Sequence, residues 1–242
     1  MDYREYVVDS QFLDGYNAYQ AKYATQIPER DKATMKLVAR LTGGKRARVL
    51  DIGCSTGNLL MHMRRFFPKL DLCGGELAES SLGIARQNPE LNTVKLLKMD
   101  MLAIEGIYDV IVSNAVTYLF DDALFERAAR SVFSALAPGG AWIDFDWFSP
   151  FNDQRVTINE TTPSHPHGLD IHIRPYNQVA RTLRSIGFGE VEFHPFEIPI
   201  DLPKPATFDG APETFTVRTE EGKRLQFRGA LVQPWCHLIA SA

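Results

Sequence analysis

Apolar residues recur along this chain at two periods, and the switches between them mark out strands and helices. In residues 29–41, ERDKATMKLVARL, Thr34, Leu37, Val38 and Leu41 fall at helical spacing, and Gly43 with Gly44 can end the helix. ARVLDIG reads as a short strand. Leu59, Leu60, Met63, Phe66 and Phe67 then repeat at three and four residues until Pro68 stops them. The turn from Gly53 to Gly57 therefore joins a strand to a helix, half of a βαβ unit.

LDLCGGEL reads as a second strand and ESSLGIARQN as its helix, and TVKLLKMD and YDVIVSNA are two further strands. Asp121 or Asp122 can cap a helix that carries Leu124, Phe125, Ala128, Val132, Phe133 and Leu136 on one face. APGG ends it before the strand AWIDFDWF. Strands alternating with helices in this way predict a parallel, doubly wound α/β sheet.

Beyond Ser149 the chain is long, polar and proline-bearing, and residues 149–174 read as a substrate loop or lid. Pro175 opens a helix through Val179, Leu183 and Ile186, ended by Gly187, and EVEFHPFEI and WCHLIAS read as the last sheet strands. Between them Phe215, Val217, Leu225 and Phe227 alternate with polar residues about Glu221 and Gly222, which predicts a hairpin over residues 213–229 with one apolar face.

The chain has 242 residues, 45% of them hydrophobic, enough for one sizeable core. Residues 1–242 read as a single domain. A formal charge of -4 gives no general attraction to nucleic acid or to an anionic membrane. The compact basic groups, Lys45 to Arg48 and Arg64 with Arg65, read as solvated faces. Cys54, Cys73 and Cys236 form no metal-like spacing, and their odd number argues against a disulfide framework, so a cytoplasmic setting is expected. MDYREYVVDS lacks the apolar stretch of a signal peptide, and no run approaches a membrane span.

The turn GCSTGN does not fit a phosphate. A dinucleotide site needs G-x-G-x-x-G, where this chain has Gly53, Ser55 and Asn58, and a P-loop needs a lysine that is absent. An NAD-dependent oxidoreductase fails on this pattern. Asp51, two residues before Gly53, would repel a phosphate and suits a ligand that presents an ammonium group.

VLDIGCSTGNLL resembles the first motif of class I S-adenosylmethionine-dependent methyltransferases, an acidic residue followed by a glycine-rich turn. The resemblance continues in order through CGGEL, KMDML, YDVIVSNAVTYLF, LAPGGAWIDF and IGFGEVEF. It implies a Rossmann-like, mostly parallel seven-stranded sheet whose last strand, PWCHLIAS, is antiparallel. It implies S-adenosylmethionine as cofactor and S-adenosylhomocysteine as product. Within residues 46–148 the implied cofactor residues are Asp51, Gly53, Cys54, Ser55, Gly57, Glu76, Leu77, Asp100, Met101, Ser113 and Asn114, with Tyr23 from a helical cap over residues 1–45. In the family the acid at Glu76 accepts from the ribose hydroxyls, and the position of Asp100 reads the adenine. Ser55 stands where many members carry glycine; its hydroxyl can donate to the cofactor's carboxylate.

The implied reaction is methyl transfer to a small-molecule acceptor at oxygen or nitrogen, with no nucleic acid or membrane partner and a homodimer as one possible state. Alignment of donor and acceptor supplies much of the rate. Tyr16, Tyr19 and Tyr23, and Trp147, Phe148 and Phe151, are candidate walls. For an acceptor that must lose a proton, the candidate bases and neighbours are Asp146, His165, His167 and Tyr118, with Asp144 and His172 behind them. Asp144 and Asp146 share strand parity and face one side. His165, His167 and an aspartate match no zinc pattern, so no metal is expected. Nothing in the sequence supplies Cys54 with a base. SNAV lacks the Asn/Asp-Pro-Pro-aromatic run of amino methyltransferases acting on adenine or glutamine.

Two other readings stand beside this one. IPERDKATMKLVARL ahead of DIGCSTG resembles the carboxy-S-adenosylmethionine synthases, which would need a site arginine such as Arg155 or Arg174. A non-catalytic cofactor-binding partner would use the hairpin face from Phe215 to Phe227.

Overall fold

The computed structural model describes residues 3–162, 165–207 and 213–242. Two helices, α1 (Tyr3–Val8) and α2 (Ser10–Ala21), precede α3 (Glu29–Thr42), which Gly43 ends in a left-handed conformation. The chain then alternates through β1 (Arg48–Ile52), α4 (Asn58–Phe66), β2 (Asp71–Glu76), α5 (Glu79–Gln87), β3 (Lys95–Lys98), β4 (Tyr108–Asn114), α6 (Asp122–Ala135) and β5 (Leu136–Ser149). Asp121 caps α6, its side chain accepting from the Leu124 N–H.

The remainder runs β6 (Val156–Thr162), β7 (His165–Pro175), α7 (Tyr176–Ile186), β8 (Val191–Pro195), β9 (Thr214–Arg218), β10 (Arg224–Arg228), β11 (Leu231–Val232) and β12 (Trp235–Ser241). The main sheet has the order β3-β2-β1-β4-β5-β12-β8. Its first five strands are parallel, and β12 is antiparallel to both β5 and β8. This is the doubly wound seven-stranded path that the family resemblance implies.

Each face of the sheet buries its own core. Val49, Val112 and Ile143 pack under Met35 and Val38 of α3 and Leu59, Leu60 and Met63 of α4. Leu50, Ile111 and Trp142 pack under Phe125, Ala128 and Val132 of α6 and Val179 and Leu183 of α7. We call these the α3 face and the α6 face.

Two expectations change. The polar stretch after Ser149 is largely paired strand: β6 and β7 form an antiparallel ladder, and β7 joins the end of β5 through Phe148 and Ser149. The alternation of Leu169, Ile171 and Ile173 with Asp170, His172 and Arg174 builds it, with Ile171 and Ile173 packed on Trp147. The hairpin β9–β10 gains a third strand, β11, in a separate sheet, with Phe215 and Phe227 stacked across it at 5.4 Å. Among the described residues no helix is long and apolar enough to cross a membrane.

Candidate functional site

The turn after β1 takes left-handed backbone at alternate residues, with Gly53 at φ 79°, Ser55 at 49° and Gly57 at 80°. Glycine accepts this at little cost, whereas Ser55 carries strain. The N–H groups of Gly53 and Cys54 donate to the Gly75 carbonyl at 2.7 and 3.1 Å, docking the turn on β2. Glu76 finishes the junction. Its Oε2 accepts from the Ser55 N–H at 2.8 Å, and its Oε1 from the Leu77 and Ala78 N–H groups at 2.7 and 2.8 Å.

Three carboxyls are buried about this turn: Asp51, Glu76 and Asp31 of α3. Burial pushes Asp51 up to about 8, helped by the charges of Asp31 and Glu76. Burial likewise raises Asp31 and Glu76. Arg30 contacts Asp31 at 3.3 Å, and Asn114 donates to Asp31 at the same distance. Burying Asp51 beside two further carboxyls is costly, and a cationic ligand relieves it. Tyr23 and Tyr16 stand over this group: the Arg30 guanidinium lies 5.6 Å from the Tyr23 ring centre, and burial raises both phenols. Cys54 is a buried thiol held protonated by burial, so it is no nucleophile.

A second group gathers at Asp100, beyond β3. Burial works to raise this carboxyl, but the Leu102 N–H, Tyr3 and Arg4 hold it below its ordinary range. The Tyr3 hydroxyl donates to Oδ1 at 2.8 Å and Arg4 Nε to Oδ2 at 2.9 Å. Met101 is buried beside it in the α6-face core, where Leu77 also packs.

The α6 face takes the remaining polar candidates. Trp142 Nε1 donates to Ser113 Oγ at 2.8 Å, and Ser113 donates to Asp144 Oδ1 at 2.7 Å. Thr117 Oγ1 lies 2.7 Å from Asp144 Oδ2 and 2.9 Å from Asp146 Oδ2. One hydroxyl proton cannot serve two carboxylates, so one carboxyl of the pair is protonated. Burial and the charge of Asp146 raise Asp144, and we place the proton there. Asp144 then donates to Thr117, and Thr117 to Asp146.

Asp146 also accepts from the Tyr118 N–H at 2.9 Å and the Trp147 N–H at 2.8 Å. It is 1% exposed and anchors the turn carrying Tyr118. Ser113 belongs to the same network and faces away from Asp51. Phe148 lies in the α6-face core, and Phe151 is exposed. His172 bonds Thr157 and shares its side of β7 with Arg174. Arg174 is spent on Asp122 and on the carbonyls of Thr117 and Phe120, while Arg155 pairs with Asp122. Neither arginine reaches the Asp51 group. The side chains of His165 and His167 lie outside the described residues. Among the described residues no three metal-ligating side chains converge.

On the α3 face, at the C-terminal ends of β4 and β5, the structure assembles an aromatic wall. Trp147 stacks on Tyr118 at 5.8 Å, Trp235 stacks on Phe145 at 4.7 Å, and the two indoles meet edge to face at 5.5 Å.

A family profile for a methyltransferase domain matches residues 23–184. The chain belongs to this methyltransferase-domain family. Malonyl-[acyl-carrier protein] O-methyltransferase of Bacillus cereus is 33% identical over 95 residues, 38% of this chain and 35% of that protein. Trans-aconitate 2-methyltransferase of Variovorax paradoxus is 31% identical over 121 residues, 50% of this chain and 46% of that one. The chain thus spans less than half the length of either relative. The glycopeptide N-methyltransferase MtfA, solved with S-adenosylhomocysteine, superposes with a TM-score of 0.59 at 17% identity, covering 90% of this chain and 94% of that one, which establishes a shared fold.

Within this methyltransferase domain, local sequence marked Asp51, Glu76 and Asp100 but missed Asp31, Trp235 and the two residues that bond Asp100. Asp31 carries no local signal; helical spacing puts it one turn before Thr34, on the buried face of α3. Trp235 joins the wall because the antiparallel register sets it opposite Trp147. Ala115, at φ 57°, is a further strained position at the mouth of the site.

Proposed function

We propose that this domain transfers a methyl group from S-adenosylmethionine to a small-molecule acceptor at oxygen or nitrogen. The observation that carries the reading is the trio of buried carboxyls about a left-handed turn, a setting that a cationic ligand completes. Family membership and a fold shared with cofactor-bound methyltransferases support it.

Asp51, Ser55 and Asn114, with Tyr16 and Tyr23, would hold the amino-acid end of the cofactor. Glu76 would receive a ribose hydroxyl on the Oε2 lone pair left free by its three N–H donors, and Asp100 and Met101 would meet the base. The bound cofactor supplies an electrophilic methyl group on a sulfonium. The chain's own part is placement: Tyr118, Trp147, Trp235 and Phe145 exclude water and orient the acceptor, and Asp146 fixes Tyr118 through its backbone N–H.

Calorimetric titration of ligand-stripped protein with S-adenosylhomocysteine tests the reading. Micromolar binding that is lost in Asp51→Ala and in Glu76→Ala, with none for NADH, is the expected result. A folded wild-type protein that binds no S-adenosylhomocysteine would sink it.

A further inference from the structure

Two polar atoms of the aromatic wall are unmatched. The indole Nε1 atoms of Trp147 and Trp235 are buried without a hydrogen-bond partner among the described residues, although buried indole N–H groups usually find one. An edge-to-face pair lets one indole point its N–H at the other's ring, so that contact relieves at most one of the two. Trp142, the third tryptophan, has its N–H bonded to Ser113. The fold therefore satisfies the indole remote from the site and leaves two beside it unsatisfied.

A third unmatched atom lies on the same face. Asn114 Oδ1 is buried without a partner, while its Nδ2 donates to Asp31, which fixes the orientation of the amide. Asn114 sits opposite Phe145 in the β4–β5 register, and Phe145 is two residues before Trp147 on the same side of β5. Two donors and one acceptor thus edge a wall of rings, partly open where Tyr118 and Trp235 retain exposure.

We propose that Trp147 and Trp235 form an acceptor subsite for a neutral, planar aromatic molecule, held by its ring faces and by a ring-borne oxygen that accepts from the indole N–H groups. The rings select a flat body. The two N–H donors select an oxygen with lone pairs, a carbonyl or hydroxyl. Charge excludes the anionic alternative: Asp31, Asp51 and Glu76 are buried nearby, Arg30 is engaged with Asp31, and Arg174 lies on the opposite side of the sheet. A carboxylate seated here would lie on the side of these buried acids, with Arg30 already paired to Asp31. That this molecule is the methyl acceptor rests on the proposed function, but its binding does not.

The test uses acetophenone, ethylbenzene and benzoate as probes, with the indole N–H resonances as readout. The chain has three tryptophans, so a nitrogen-15 correlation spectrum holds three indole cross-peaks, which Trp→Phe variants assign. Acetophenone is expected to move the Trp147 and Trp235 peaks downfield and leave Trp142 in place. It should bind about threefold to tenfold more tightly than ethylbenzene, the range of one net hydrogen bond. Trp147→Phe and Trp235→Phe keep the rings, so each should reduce that preference and the double variant abolish it, while an unmoved Trp142 peak reports the intact fold. Equal binding of acetophenone and ethylbenzene, tighter binding of benzoate, or no saturable binding of any probe overturns the proposal. A parallel titration with S-adenosylhomocysteine separates the two readings: its failure alone counts against the cofactor assignment and leaves the probe result standing.

Discussion

The Tyr3 hydroxyl donates to Asp100 Oδ1 at 2.8 Å, so the first helix closes over this carboxyl at the end of β3. Arg4 adds Nη2 at 2.8 Å from Oδ2, and the Tyr3 ring packs edge-on to Phe120 at 4.8 Å.

If Asp100 meets the base, α1 competes with it, and binding waits on the fraction of molecules in which α1 has moved. Tyr3→Phe combined with Arg4→Ala is expected to speed association of S-adenosylhomocysteine by about threefold to tenfold, two exposed or half-buried hydrogen bonds being worth about that much. Stopped-flow fluorescence measures it. Unchanged or slower association would show that α1 does not compete.

Cofactor binding should release a proton. Asp51 is raised to about 8 in the free protein, so it is largely protonated at neutral pH, whereas a carboxylate facing an ammonium group favours the charged form. Affinity for S-adenosylhomocysteine is therefore expected to rise with pH up to about 8. Calorimetry in buffers of different ionisation enthalpy reads the proton directly, and zero release at pH 7 would contradict the assignment.

The same raised value fixes the sign for stability of the free protein. A carboxyl whose folded-state value lies above its unfolded one stabilises fully below the unfolded value, and that contribution is lost as pH rises through the folded one. For Asp51 the window runs from its ordinary acidic range to about 8. Melting temperature should fall across it, and Asp51→Asn should flatten the fall.

Asp144 carries the proton of the buried pair, so Asp144→Asn copies its hydrogen bonds: the amide oxygen accepts from Ser113 and the amide nitrogen donates to Thr117. It should be near neutral in stability. Asp144→Ala leaves both hydroxyls unmatched and should cost about 1 to 3 kcal/mol. Chemical denaturation of the two variants distinguishes them, and an Asn variant as unstable as the Ala variant would overturn the proton assignment.

Gly53 tolerates no side chain. A Cβ there would lie 2.6 Å from Val116 Cγ2 at a φ of 79°. Gly53→Ala is expected to destabilise the fold by about 1 to 3 kcal/mol and weaken S-adenosylhomocysteine binding. Thermal melting and titration of the variant check both effects.

Most of the sheet was legible because its signals are local. The strand, turn and helix around Asp51 lie within one βα unit, where periodicity and glycine placement act over a few residues. The β6–β7 ladder had its signal too, in Val156 with Ile158 and in Leu169, Ile171 and Ile173, but the polar residues and prolines around them favoured a loop reading. Asp146 illustrates a different limit. Strand parity correctly put it on one side with Asp144, but parity does not say which side of the sheet faces the site.

The sequence by itself determined the alternation of strands and helices, the acid before the left-handed turn and the family, since each depends on residues close in the chain or in fixed order. Only the tertiary structure decided which side chains meet. Asp31 reaches Asn114 across 83 positions, and Trp147 faces Trp235 through an antiparallel register 88 positions apart that no local period encodes. Burial, which the packed sheet alone supplies, turned these encounters into chemistry: it raised Asp51, placed a proton on Asp144 and left two indole N–H groups unmatched.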